Sequence, residues 1–171
     1  MKSIALSCFG LFFVSFFIIA PDAGRYGIGI QRHSMIENQS HKNKLTAYVD
    51  TTVVELKTDG IELSYSMTEI HAKAGDILLI QYINESDMSH NIVLVREEED
   101  IRPVGVAALQ AIANDWIPEN EMDRIIAYSG LAYPGDTVEF AFKVPPPGTY
   151  PYICTYSAHW TQMQGRLIST E

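Results

Sequence analysis

Between Asp136 and Val144 the chain reads DTVEFAFKV, and its apolar residues Val138, Phe140 and Phe142 fall on every second position. A repeat of two gathers them on one face of an extended strand and scatters them around a helix, so this segment is a strand. Pro145-Pro146-Pro147-Gly148 follows as a hard turn, and Tyr150 to Cys154 and Gly165 to Ser169 read as two more strands. Upstream, Val53 to Lys57 is rich in β-formers, and Thr68 to Ala72 sets Ile70 and Ala72 against polar Glu69 and His71. The turn Ala74-Gly75-Asp76 leads into the apolar strand Ile77 to Ile83, and Asn91 to Val95 is another. Short strands separated by turns predict an all-β fold, an antiparallel sandwich with Greek-key connections. One segment departs from this pattern. Val104 to Ala113 (VGVAALQAIA) is alanine-rich and follows Pro103, which predicts a short helical insertion packed against one side of the sandwich.

The chain has 171 residues, 47% of them hydrophobic and 19% charged, enough for one domain with a real core plus an extension. Its net charge of -9 disfavours nucleic acid, whose phosphates would be repelled. Lys2 is followed by an uncharged apolar run from Ile4 to Ala20. A positive start and a run of this length predict that residues 1–23 are a signal peptide or an uncleaved N-terminal membrane anchor. Pro21 after Ala20 makes a poor cleavage site and keeps the anchor open. Lipid on Cys8 is disfavoured, because the apolar run follows that cysteine. Residues 24–44 carry Gly24, Gly27 and Gly29 among polar residues and read as a flexible tether. His33 and His41 within it are read as solvated residues. The folded domain is then residues 45–171.

Cys8 and Cys154 are the only cysteines. If the apolar run is removed or lies in lipid, Cys154 has no partner, which excludes a disulfide framework and any four-cysteine metal site. An unpaired thiol in an exported protein is an oxidation liability and calls for a reason such as a metal bond. The residues after it supply one. Cys154-Thr-Tyr-Ser-Ala-His159-Trp-Thr-Gln-Met163 has the spacing C-x4-H-x3-M and links two predicted strands. His90, in Met88-Ser89-His90-Asn91, stands at the start of a different strand, and a sandwich can bring strand ends remote in sequence side by side. Singly, each residue is ordinary: a histidine at a strand start, a methionine in a core, a buried cysteine. Together they make two imidazoles, one thiolate and one thioether, a set diagnostic for blue copper with a weak axial methionine. The same set suits structural zinc poorly, since zinc prefers four strong N or S donors. His71 lies on an otherwise ordinary strand and is not part of the set.

With these motifs in view, the chain resembles the cupredoxin family, and within it azurins and auracyanins, over roughly Thr52 to Glu171. The matching segments are KAGD (73–76), MSHNIVLV (88–95), YPGDT (133–137), PPPGTYPYICTYSAHW (145–160) and MQGRLI (163–168), in matching order. The resemblance implies an eight-stranded Greek-key sandwich with one type 1 copper ion at one end. It implies that the Ser89 carbonyl lies near the metal opposite Met163, and that Asn91 hydrogen-bonds to the Cys154–Thr155 backbone and the Thr155 side chain. It also implies that His159 is the ligand whose ring edge reaches the surface. Ser157-Ala158 stands where such relatives usually carry Pro-Gly or a similar pair, and the azurin disulfide has no counterpart.

The function expected is electron transfer by a mononuclear copper centre cycling between Cu(I) and Cu(II), in a protein that is not an enzyme. A periplasmic copper chaperone or storage protein is the alternative, but such proteins use exposed Met- and His-rich sites, and Met67, Met88 and Met122 form no such cluster. Copper oxidases and nitrite-reducing domains need a second copper, and His33, His41 and His71 are too scattered to hold one. The expected location is the periplasm or the outer face of the cytoplasmic membrane, and a monomer is expected. Partners are expected to be redox proteins such as a cytochrome or respiratory complex, met transiently through an apolar patch at His159 and Trp160. Glu97, Glu98, Glu99 and Asp100 either steer a basic partner or form a solvated acidic loop.

Overall fold

The computed structural model describes residues 49–171. The expected signal or anchor (1–23) and the expected tether (24–44) lie outside the described residues, as do Cys8, His33 and His41. Eight strands follow in the order β1 (Thr51–Gly60), β2 (Glu69–Lys73), β3 (Ile77–Ser86), β4 (Val93–Val95), β5 (Ile125–Tyr128), β6 (Thr137–Lys143), β7 (Gly148–Ile153) and β8 (Gln164–Thr170). They form a three-stranded sheet ordered β1-β3-β6 and a five-stranded sheet ordered β2-β8-β7-β4-β5. This is the predicted all-β sandwich, with one difference. The pairs β1–β3 and β2–β8 are parallel and the remaining pairs antiparallel. The chain leaves β1, crosses to the other sheet as β2, and returns as β3 beside β1 in the same direction. Such a crossover makes sequence neighbours parallel where a hairpin would make them antiparallel.

The period of two predicted for the sheets is clearest in β3. Leu78, Ile80 and Tyr82 are buried, and the same face continues into Asn84 and Ser86. Between the sheets they meet Leu56, Ile70, Ile92, Leu94, Tyr152 and Leu167 in the main core. Burying a tyrosine is favourable only if its hydroxyl finds a partner. Tyr82 shares a 2.6 Å hydrogen bond with Thr58, Tyr152 donates to the Met67 carbonyl at 2.6 Å, and Tyr65 donates to the Asn91 carbonyl at 2.7 Å. In β6, Val138, Phe140 and Phe142 do share the inner face, half-buried as suits an edge strand.

The predicted helix is present but shifted: α1 spans Ile101–Ala108. It begins before Pro103 because a proline in the first turn gives up an N–H that has no intrahelical acceptor anyway. It ends early because Gln110 and Ala111 donate to the carbonyls three residues back, and left-handed Asp115 (φ 50) and Trp116 (φ 63) then reverse the chain. α1 buries Ile101 and Val104 in a second cluster with Val93, Val95, Ile117, Ile125 and Ile153. β5 had no signal in the sequence; its IIAY has no alternation, and it pairs with β4 across a register shift.

Tyr152 and Gly165 face each other across β7 and β8, and a Cβ at Gly165 would lie 2.1 Å from the Tyr152 ring. Gly165→Ala is therefore expected to destabilise the domain by about 1–3 kcal/mol through overpacking. Gly130→Ala, with no atom within 4 Å of its Cβ position, is expected to change stability by less than about 0.5 kcal/mol. Urea denaturation of the two variants checks the contrast.

Candidate metal centre

Two loops at one end of the sandwich carry the site. His90 sits between β3 and β4, where its backbone exchanges two hydrogen bonds with Ala132, at 3.0 and 2.8 Å. Cys154 directly follows β7, and Met163 directly precedes β8. The loop between them closes on itself, because the Cys154 N–H donates to the Met163 carbonyl at 3.1 Å and the Met163 N–H to the His159 carbonyl at 2.8 Å. Met163 is fully buried in the main core beside Cys154. His71 is apart from this group, on β2, with its ring 3.6 Å from the exposed Glu69 carboxylate.

Three of the predicted ligands converge. The Cys154 sulfur lies 3.6 Å from His90 Nδ1 and 3.7 Å from His159 Nδ1, and the two Nδ1 atoms lie 3.2 Å apart. This triangle can be compared with what a metal requires. Bonds of about 2.0 Å to nitrogen and about 2.3 Å to sulfur, spread evenly in a plane, put nitrogens about 3.5 Å apart and each about 3.7 Å from sulfur. The donor atoms are thus set at metal-binding separation, and their chemistry suits copper: a soft thiolate for Cu(I), imidazoles for both oxidation states.

Burial makes the site costly without a cation. It pushes the Cys154 thiol up to about 12, against the backbone N–H groups of Asn91 and Tyr156, which aim at the sulfur and favour thiolate. Burial, then the neighbouring His159, lowers His90 from 6.5 to about 4, and burial also lowers His159. All three groups are held in their uncharged forms, while a bound cation requires the thiolate.

Asn91 joins the two loops as the resemblance implied. Its Oδ1 accepts from the Thr155 N–H at 2.8 Å, and its Nδ2 donates to Thr155 Oγ1 at 2.9 Å. Sequence reasoning missed a third segment, the reversal after α1. The Asp115 carbonyl accepts from Asn91 Nδ2 at 3.1 Å and the Trp116 carbonyl accepts from Thr155 Oγ1 at 2.8 Å. A conspicuous signal for this contact is lacking, because nothing in the sequence ties residues 115–116 to the ligand loops. Ser86 was also missed; its Oγ lies 3.0 Å from His90 Nε2.

The ligand loop keeps its shape at a cost. Ser157 (φ 46, ψ 40) and Ala158 (φ 69, ψ 15) are both left-handed, a region glycine enters freely and other residues enter at roughly 1–2 kcal/mol each. His159 is 8% exposed, so little more than its ring edge reaches solvent, and Tyr156 packs edge-on against it at 5.3 Å. Trp160, next to His159, is half-buried. One side of its indole packs against α1, where a Cβ on Gly105 would lie 2.3 Å away. Tyr156 and, edge-on to it at 5.2 Å, Trp116 are further half-buried aromatic residues near His159. The acidic run is also partly committed: Asp100 is buried and paired with Arg124, and Glu98 pairs with Arg166 at 2.7 Å.

Comparison with known proteins agrees with this geometry. Residues 52–169 match the copper binding proteins of the plastocyanin/azurin family. Auracyanin-A of Chloroflexus aurantiacus is 37% identical over 120 residues, which are 67% of this chain and 72% of that protein. Among solved structures, auracyanin A, described as a "blue" copper protein of the same green thermophilic photosynthetic bacterium, superposes with a TM-score of 0.67 at 36% identity. That match covers 70% of this chain and 99% of the other. Dithionite-reduced auracyanin of Roseiflexus castenholzii gives a TM-score of 0.66 at 32% identity, covering 71% of this chain and 99% of the other.

The lowered histidines set a pH dependence for the metal-free protein. The unfolded chain takes up a proton on His90 near 6.5, whereas the folded chain resists until about 4. Stability is therefore full above pH 6.5 and falls as the pH drops toward 4. Denaturation midpoints of metal-free protein are expected to fall between pH about 7 and about 5, and His90→Gln is expected to remove most of that slope.

Proposed function

Because the chain belongs to the plastocyanin/azurin family of copper-binding proteins, we propose that its domain carries single electrons between redox proteins outside the cytoplasm, with copper held by His90, Cys154 and His159 and, weakly, by Met163. Bound there, copper supplies a one-electron Cu(I)/Cu(II) couple. The observation that carries this reading is the buried triangle of His90 Nδ1, His159 Nδ1 and Cys154 Sγ.

The chain's residues do the rest. Cys154 gives up its proton and faces the backbone N–H groups of Asn91 and Tyr156. The Asn91–Thr155 hydrogen bonds hold the two loops at fixed separation, which keeps the reorganisation on electron gain and loss small. Met163 would be the fourth, weak donor and would tune the couple, and the Ser89 carbonyl, just before His90, would be a weaker contact. His159 is the exit for electrons, its edge flanked by Tyr156 and Trp116. Partners are small-area, fast-exchanging redox proteins such as a cytochrome or respiratory complex. Of the acidic run, Glu97 and Glu99 are left to steer a basic one, since Glu98 and Asp100 are paired. The positive start and the apolar run from Ile4 to Ala20 support export, with residues 1–23 a signal or anchor, 24–44 a tether and 45–171 the working domain.

Copper-loaded protein is expected to be intensely blue through thiolate-to-metal charge transfer, and Cys154→Ala to be colourless in the visible spectrum. A Cys154→Ala protein that stayed blue would sink the ligand assignment.

Voltammetry tests Met163. Met163→Leu removes a weak donor that Cu(II) needs more than Cu(I), so it is expected to stay blue with a higher reduction potential. Met163→Gln offers a harder oxygen that stabilises Cu(II), so its potential is expected to be lower. Each shift is expected to reach at least about 59 mV, the tenfold step of a one-electron couple. Equal potentials, or the reverse order, would leave Met163 as core packing only.

A further inference from the structure

His90 has two ring nitrogens, and only Nδ1 faces the ligand triangle; Nε2 faces the hydroxyl of Ser86 at 3.0 Å. In a neutral ring one nitrogen carries the proton and the other offers a lone pair. The hydrogen bonds around Ser86 decide which. Asn84 Nδ2 donates to two backbone carbonyls, Met88 at 2.7 Å and Ala132 at 2.9 Å. Carbonyls only accept, so the amide cannot turn over without setting oxygen against oxygen. Asn84 Oδ1 is thereby aimed at Ser86, accepting from its N–H at 3.1 Å and from its hydroxyl at 2.7 Å. Two other acceptors are in reach of that hydroxyl proton, the Met88 carbonyl at 3.0 Å and, in an Nδ1–H ring, His90 Nε2 at 3.0 Å; Asn84 Oδ1 is the nearest of the three.

The short bond to Asn84 Oδ1 holds the single Ser86 proton away from His90. The Oγ lone pairs are left for the Met88 N–H at 3.3 Å and for His90 Nε2. Nε2 is then the nitrogen placed to donate. Asn84, Ser86 and His90 are all buried, so bulk water does not compete for these bonds.

We infer that Ser86, oriented by Asn84, is a positioning residue that fixes His90 in the Nε2–H tautomer and so presents a free Nδ1 lone pair before the metal arrives. Asn84 and Ser86 lie in β3, and the Ala132 carbonyl that Asn84 meets is held by the bridge to His90, so the orientation is a property of the fold. Its consequence for copper rests on the function proposed above; the tautomer itself does not.

The test separates the two. Proton–nitrogen correlation spectra of the ring nitrogens are recorded on metal-free protein at pH about 8, where histidines are neutral. Wild type and Ser86→Thr, which keeps the hydroxyl, are expected to show His90 protonated at Nε2. Ser86→Ala is expected to show a mixture or the Nδ1–H form. Copper affinity is then measured on the same proteins. Ser86→Ala is expected to lose about 10- to 100-fold, the usual effect of removing a ligand's hydrogen-bond partner, and Ser86→Thr to stay close to wild type. A wild-type His90 protonated at Nδ1 overturns the inference, as does a Ser86→Ala protein with unchanged tautomer and affinity. If Ser86→Ala does not fold, the wild-type spectrum and the Thr variant decide it. A wild type that binds no copper yet shows the Nε2–H form overturns the copper reading and leaves the tautomer inference standing.

Discussion

A thiol sits where water cannot reach it, and the arrangement of the binding end follows from that. Cys154 is 0% exposed, and burial alone would keep its proton on well past neutral pH. Two backbone N–H groups aimed at the sulfur, and two imidazoles held uncharged beside it, favour the opposite outcome once a cation is supplied. Neither the neutral thiol nor a bare thiolate is comfortable there; a metal-bound thiolate is. Holding that balance requires the two ligand loops to stay in register. The Asn91 amide does this, with one side chain bonded to Thr155 twice and to the reversal after α1 once.

The two histidines divide the work. His90 is fully buried and gripped on its far side by the Ser86 hydroxyl. His159 keeps an edge at the surface, and its Nε2 has no protein partner among the described residues. One ring is fixed and the other open, and the difference comes from the segments that carry them. His90 follows β3, whose inner face runs directly beneath it. His159 rides on the loop between β7 and β8, which turns through left-handed Ser157 and Ala158 just before it.

Most of the fold and most of the site were legible in the sequence, for local reasons. Alternation in residues 68–72 and 136–144 reported strands because the pleat itself has a period of two. C-x4-H-x3-M could be read as a unit because its members share one loop and need no knowledge of the fold to be brought together. What escaped reading depended on contacts between distant segments. β5 is four residues without alternation, and pairing with β4 makes it a strand. The parallel pairing of β1 with β3 depends on β2 lying in the opposite sheet. The packing of Trp160 against α1 depends on the absence of a side chain at Gly105, a residue of another segment. The Asp115 and Trp116 contacts are made through backbone carbonyls, which leave no trace in residue type.

The inner face of β3 is one uninterrupted series of alternate residues, from Leu78 through Tyr82 to Asn84 and Ser86. Hydrophobic core and copper-site scaffold therefore share a single phase. A one-residue slip of this strand against its neighbours would turn the aromatic and aliphatic side chains toward solvent in the same stroke that turned the amide and hydroxyl away from His90. A chain threaded in the wrong frame has no means of keeping one half of its design while forfeiting the other. Metal loading thus doubles as an inspection of assembly: a molecule that acquires colour has, by that fact, its sheets correctly aligned some way from the metal.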